Sequence, residues 1–233
     1  MSYDVAYDGV AVGHALASTL VDRLKRLHQK HGANIVMLDG DLTDPNAVLF
    51  KATAHEVFDP LVSRGALTIA AEYETPWWQP EAAQAEMEEA LQLGIRVDGV
   101  YAANDGLASG AIAAMKAAGI LRLPPVTGQD AELSAIQRFL VGEQYMTVYR
   151  PVKPLAEAAA LLAFDLATGK RPPKSTSSNT INNGVIDVPA WLFTPVVVTR
   201  NNIGSTIVRD GFWTVQEICT PEYAAACAVA RLK

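Results

Sequence analysis

A chain of 233 residues, half of them hydrophobic and 19% charged, carries enough apolar mass for one large or two small packed domains. Its net charge of −6 argues against a nucleic-acid partner, which would require a basic stripe to neutralise phosphates. No run of eighteen apolar residues is present, so no membrane-spanning helix is expected, and the opening MSYDVAYDGVAVG has neither the basic nor the apolar segment of a signal peptide.

In chain order, Val12, Leu16, Leu20, Leu24 and Leu27 share one face of a helix predicted from about Val10 to His31. Arg23, Lys25, Arg26 and Lys30 lie along the same pattern and read as its solvated face. NIVMLDG predicts a short apolar strand ending in a polar loop. From Asn46 to Arg64 the period is helical again, with Phe50, Ala54, Val57, Phe58 and Leu61 inward and Gly65 as the stop. ALTIAAEY is the next strand, followed by the helix PEAAQAEMEEALQLG, with Pro80 in its first turn and Gly94 at its end. VDGVYAAND, LASGAIAAMKAAG, PPVTGQD, ELSAIQRFLVG and QYMTVYR continue as strand, helix, strand, helix, strand. This alternation predicts an α/β architecture: a parallel sheet with helices on both faces.

The predicted strands end in polar side chains: Asp39 and Asp41, then Glu74, then Asn104 and Asp105, then Gln129 and Asp130, then Arg150. In open parallel sheets, ligands bind beyond the carboxyl ends of the strands, so these groups should converge on one edge. Past Arg150 the helix PVKPLAEAAALLAFDLATG is apolar almost all round, interrupted by Lys153, Glu157 and Asp165, and calls for cover on more than one side. KRPPKSTSSNTINNG reads as a polar connection, PVVVT as a strand, and the chain closes in a short helix carrying Cys227. Thr220-Pro221 marks a helix start that lets Cys219 fold back towards Cys227, so a disulfide and two unpaired core thiols are both compatible with the spacing.

Several chemistries can be weighed against these residues. LDGDLTDPNAVLF is dense in oxygen ligands, but Thr43 and Pro45 occupy ligand steps of a calcium loop begun at Asp39, and Phe50 stands where its glutamate should be. Asp39 and Asp41 are therefore expected to shape the turn after the strand. His14, His28, His31 and His55 lack cysteine or carboxylate partners at metal-ligand spacing. There is no nucleophile elbow and no Walker-type loop, and the run Gly106 to Gly110 reads as a helix packing closely on the sheet. A carboxylate glycosidase using Asp44 and Asp130 stays open on the residues alone. So does the reading of Asp44 and Asn46 as plain helix caps. Sugar binding uses more of the pattern. Asp44, Asn46, Asn104, Asp130 and Arg150 are planar polar groups suited to paired hydroxyls, and Trp77-Trp78 could cover the apolar face of a ring.

TDPNAVLFKA, WWQPEAA, VYAANDGLASGAIAAMKAAG, VTGQDAELSAIQRFLVGEQYMTVYRPV and NNGVIDVPAWLFTPVVVTRNNI followed by VRDGF resemble the periplasmic D-xylose-binding proteins. These are sugar receptors of ABC importers with the type I, ribose-binding-like fold. The resemblance implies sugar contacts at Asp44, Asn46, Trp78, Asn104, Asp130 and Arg150, the last usually lysine. It implies a xylose-like monosaccharide as ligand, ABC permease subunits as partners, a periplasmic or cell-surface location, and neither cofactor nor enzymatic activity. It also implies a division into a C-terminal-type sugar-binding lobe over 1–150, a remnant of the N-terminal-type lobe over 151–194, and a returning strand and tail over 195–233. Most of an N-terminal lobe is expected to be missing, with weak binding as a result and residues 152–168 awaiting cover from it or from a second chain. An effector domain of a sugar-responsive regulator shares the fold, but the output module it would need is not seen in the sequence.

Overall fold

The computed structural model describes residues 3–27, 32–170, 180–182 and 184–232. The part of the first predicted helix from His28 to His31, and residues 171–179 of the polar connection, lie outside them.

The alternation is realised as α/β. Strands β2 (Ala33–Asp39), β3 (Leu67–Glu74) and β4 (Gly99–Ala102) form a parallel sheet in the order β3-β2-β4. The predicted strand PPVTGQD forms only isolated bridges, Val100 with Val126 and Gln129 with Val148. Even so, it joins β4 to β5 (Met146–Tyr149) through bonds from Val100 N–H to Pro125 and from Val148 N–H to Gly128, at 2.9 and 2.8 Å. Strand β8 (Val196–Thr199) then closes that side antiparallel to β5.

Around the sheet lie α1 (Gly9–Leu27), α2 (Pro45–Val62), α3 (Pro80–Gln92), α4 (Asp105–Ala117) and α5 (Leu133–Val141). Each starts or stops where local chemistry dictates. Asp44 and Asn104 cap α2 and α4, and Gly142 ends α5 in the left-handed conformation. The core is built from Leu16, Leu20, Ile35, Met37, Leu38, Phe50, Phe58, Leu107 and Met115, all fully or almost fully buried. The small-residue run of α4 packs closely on α3, and the helix contacts β4 of the sheet as well. A Cβ on Gly110 would fall 2.1 Å from the Pro80 carbonyl oxygen, so glycine sets the distance between the two helices.

A second, smaller sheet has the order β1-β7-β6, from β1 (Asp4–Tyr7), β6 (Thr180–Asn182) and β7 (Asp187–Phe193). None of its strands is announced by the sequence, and Thr180–Asn182 is strand where a polar connection is expected. The chain passes straight from β1 into α1; the Asp8 N–H bonds the Phe193 carbonyl at 2.9 Å within the small sheet, and the Tyr7 hydroxyl reaches the Pro151 carbonyl just past β5. Helix α6 (Val152–Ala167) packs on β1 and buries only Ala158 and Leu162. Val152, Leu161, Phe164 and Leu166 remain exposed on it.

The C-terminal segment, with the short helices α7 (Val215–Ile218) and α8 (Ala224–Ala230), forms a second core with α5 through Phe139, Ile207, Ile218 and Cys227. Cys219 and Cys227 are joined in a disulfide.

Candidate functional site

The carboxyl ends of the large sheet's strands meet at one edge, and each places a polar group there. After β2, Asp44 Oδ1 accepts the Asn46 N–H at 2.8 Å and the Asn46 side-chain amide at 3.2 Å. Asp41 shapes the same turn as expected. Its Oδ1 accepts from the Thr43 hydroxyl and N–H at 2.6 and 2.8 Å, while Oδ2 accepts the Trp77 N–H at 2.8 Å. The Thr43 hydroxyl and the two backbone donors hold its carboxyl below the usual range. Asp41 thereby ties the loop after β3 to the loop after β2.

That second loop holds Trp77 and Trp78 in left-handed backbone conformations, φ 55° and 56°. Trp77 is 77% exposed. Trp78 is half-buried, with its ring laid against Gly40; a Cβ there would fall 2.1 Å from the ring. After β4, Asn104 accepts the Leu107 N–H at 2.8 Å, and the next residue donates its N–H to Gln129 at 2.9 Å. Asp130, at φ 96°, donates its N–H to Val148 and accepts from the Arg150 guanidinium at 2.6 Å.

Asn46, Asp130 and Arg150 line one cavity of about 430 Å³ together with Tyr7, Leu155 and Phe212. Asp44 adjoins it through Asn46, whereas Trp78 and Asn104 sit on the same sheet edge outside its lining. Tyr7 and Phe212 are the residues that the sequence did not single out. Tyr7 ends a four-residue strand and donates its hydroxyl to the Pro151 carbonyl at 2.6 Å. Burial, helped by the nearby Tyr149, pushes its phenol up to about 12. Phe212 packs on Tyr149 with ring centroids 5.1 Å apart. The alternation in DVAY is the one signal that could have found Tyr7, and it is too short to be distinctive.

Asp39 departs from expectation. It does not shape the turn but lies buried beside α2, 3.4 Å from Lys51 Nζ, with neither carboxylate oxygen hydrogen-bonded. Lys51 also reaches Glu72 at 2.8 Å and Glu74 at 3.2 Å. Burial pushes Asp39 up from 3.8 to about 7, against the pull of Lys51. Nearby, His55 bonds Asp59 and Glu72 at 3.0 Å each. Its own burial opposes protonation, but these two carboxylates outweigh it and raise its pKa.

The arrangement suits recognition. A carboxylate held by a guanidinium and an adjacent amide offer acceptors and donors in fixed planes, as neighbouring hydroxyls require. Asp44 is occupied as a helix cap and Asp130 by Arg150, so the carboxylate pair of a glycosidase is not assembled from free groups. No cluster of three or more metal-ligating side chains occurs among the described residues, and no described helix is long and apolar enough to cross a membrane.

Comparison with known proteins agrees with this geometry. The chain is 37% identical over 219 residues to the D-xylose-binding periplasmic protein of Escherichia coli, covering 94% of this chain and 64% of that protein. It is 31% identical to a multiple sugar-binding periplasmic receptor of Rhizobium radiobacter, covering 94% of this chain and 65% of the receptor. It thus spans less than two thirds of the length of either relative. An ABC transporter solute-binding protein from Clostridium phytofermentans, solved with bound β-D-glucose, superposes with a TM-score of 0.84 at 26% identity, over 94% of this chain and 70% of that one. The architecture is that of the type I periplasmic sugar-binding proteins. With the model of the periplasmic binding protein domain matching residues 1–171, the chain belongs to the periplasmic binding protein domain family.

Proposed function

We propose that this chain is the sugar-binding lobe of a solute receptor that serves an ABC importer, with D-xylose or a related aldopentose as ligand. One observation carries the reading: Asn46, Asp130 and Arg150 come from separate strand ends yet face a single cavity. The names of the relatives, D-xylose-binding and multiple sugar-binding, supply the ligand class. Asp44 positions Asn46, Trp78 covers the ring face, and Asn104 adds a donor at the same edge. Arg150 presents a flat fork of donors in place of the single ammonium usual in the receptors that the chain resembles. This difference should alter preference at the hydroxyl it meets.

Residues 1–150 act as the sugar-binding lobe apart from β1, which pairs with β7 in the small sheet; 151–194 act as the returning part of a second lobe, and 195–233 as the strand and tail that brace the first. The exposed side chains of α6 take the rest of that second lobe, supplied in cis or in trans. The three-stranded sheet beside α6, and the further sequence that the relatives carry, support this occupant. Two lobes closing on the sugar form the state that permease subunits recognise, in the periplasm or at the cell surface.

Binding by this lobe alone is weak, because half of the contacts and the exclusion of water depend on the other. Titration of D-xylose followed by tryptophan emission tests the reading. A millimolar response that Trp78→Ala abolishes is expected; no response at saturating sugar refutes sugar binding, and nanomolar affinity refutes the half-site.

A further inference from the structure

Asp130 and Ala131 are successive non-glycine residues with positive φ, 96° and 55°. Side-chain-bearing residues keep such backbone angles only where their surroundings hold them. Here the polar groups of the turn are pinned from three directions. The Ala131 N–H donates to the Thr147 hydroxyl at 3.2 Å, which donates in turn to Asp105 Oδ2 at 2.9 Å. The Glu132 N–H donates to the same oxygen at 3.0 Å. The Ala131 carbonyl accepts the indole N–H of Trp213, from the C-terminal segment, at 2.8 Å.

Asp105 is completely buried, and its other oxygen accepts the Gln144 amide at 2.7 Å. Arg138 backs this arrangement, donating to the Gln144 side-chain oxygen Oε1 at 2.9 Å and to the Asp105 backbone oxygen at 3.0 Å. Three donors converge on one carboxylate that takes no part in lining the cavity. Trp213, for its part, packs edge-on against Phe212, which does line it.

We propose that Asp105, Thr147 and Trp213 are positioning residues for the sugar site: they hold the left-handed turn at Asp130 and Ala131 and so aim the Asp130 carboxylate at Arg150 and the cavity. This rests on the sugar-binding reading above and adds to it a mechanism by which the buried core and the C-terminal segment set affinity.

The test compares Thr147→Val, which removes the hydroxyl at nearly constant size, with Thr147→Ser, which restores it, and with Trp213→Phe, which removes the indole donor. Amide exchange at Ala131 and D-xylose affinity, both followed by NMR, are the readouts. Thr147→Val should speed exchange at Ala131 and weaken xylose binding about fivefold, as expected for one lost hydrogen bond. Thr147→Ser should match the wild type, and Trp213→Phe should weaken binding to a similar degree. In an Asp130→Ala background neither weakening variant should cost further affinity, whereas general damage to the fold would act in both backgrounds. Wild-type exchange and affinity in folded Thr147→Val and Trp213→Phe would overturn the proposal. Absence of xylose binding in the wild type would overturn the sugar reading instead, and exchange at Ala131 would then decide whether these side chains hold the turn.

Discussion

At the scale of single residues, close approaches shape the site and two buried carboxyls, Asp39 and Asp105, lie behind it. Gly40 is the clearest approach: with the Trp78 ring occupying the space of a Cβ, Gly40→Ala must push the ring away. The expected result is a shifted tryptophan emission and loss of most xylose response, with the fold retained by circular dichroism. Arg150→Lys should keep the charge opposite Asp130 yet change the ranking of xylose against other monosaccharides in competition titrations, since an ammonium cannot reproduce the guanidinium fork. Two buried carboxyls contribute to pH dependence, Asp39 and the fully buried Asp105, which burial pushes up to about 8. The Asp39 pKa is raised from 3.8 to about 7 on folding, so the folded chain binds this proton more tightly than the unfolded one. Its contribution to stability is complete below about pH 4 and is lost as pH rises through about 7. Asp39→Asn should reduce the fall in denaturation midpoint across that window, leaving the part due to Asp105.

At the scale of elements, legibility followed length and period. The long helices were readable because apolar residues recur on one face and because glycine, proline or a capping side chain marks their ends, as Gly142 does for α5. Strands β1, β6 and β7 were not readable. β1 has four residues, β6 is the polar triplet TIN, and β7 contains Pro189, which counts against a strand on sequence grounds. The missed cavity residue Tyr7 follows from the missed strand. The polar groups at strand ends were legible because sheet topology alone brings them together, while the role of Asp39 was not, since burial depends on how α2 crosses the sheet. The disulfide closes a short loop with a sequence separation of 8 and fastens α8 to α7 beside α5. Replacing both cysteines with serine should cost about 2.5 kcal/mol in chemical denaturation, the chain-entropy value for so small a loop. On α6, Phe164 is 57% exposed and its ring faces Lys170, so Phe164→Asp in the last turn should lower the stability of this chain by only about 1 kcal/mol. The same change should abolish association with a second lobe in a pull-down.

At the scale of the whole molecule, a large sheet directs its polar strand ends to one edge, and Tyr7 at the end of the small sheet's first strand shares a cavity with Asn46, Asp130 and Arg150 from that edge. The family accounts for the architecture, and within it α6 leaves Val152, Leu161, Phe164 and Leu166 exposed. The central claim is that this edge is one half of a sugar-binding cleft. Titrating the isotope-labelled chain with D-xylose while following its amide resonances tests it most directly. The account predicts millimolar, saturable shifts centred on Asn46, Trp78, Asp130 and Ala131; saturable shifts elsewhere with these resonances unmoved, or no shifts at all, would contradict it.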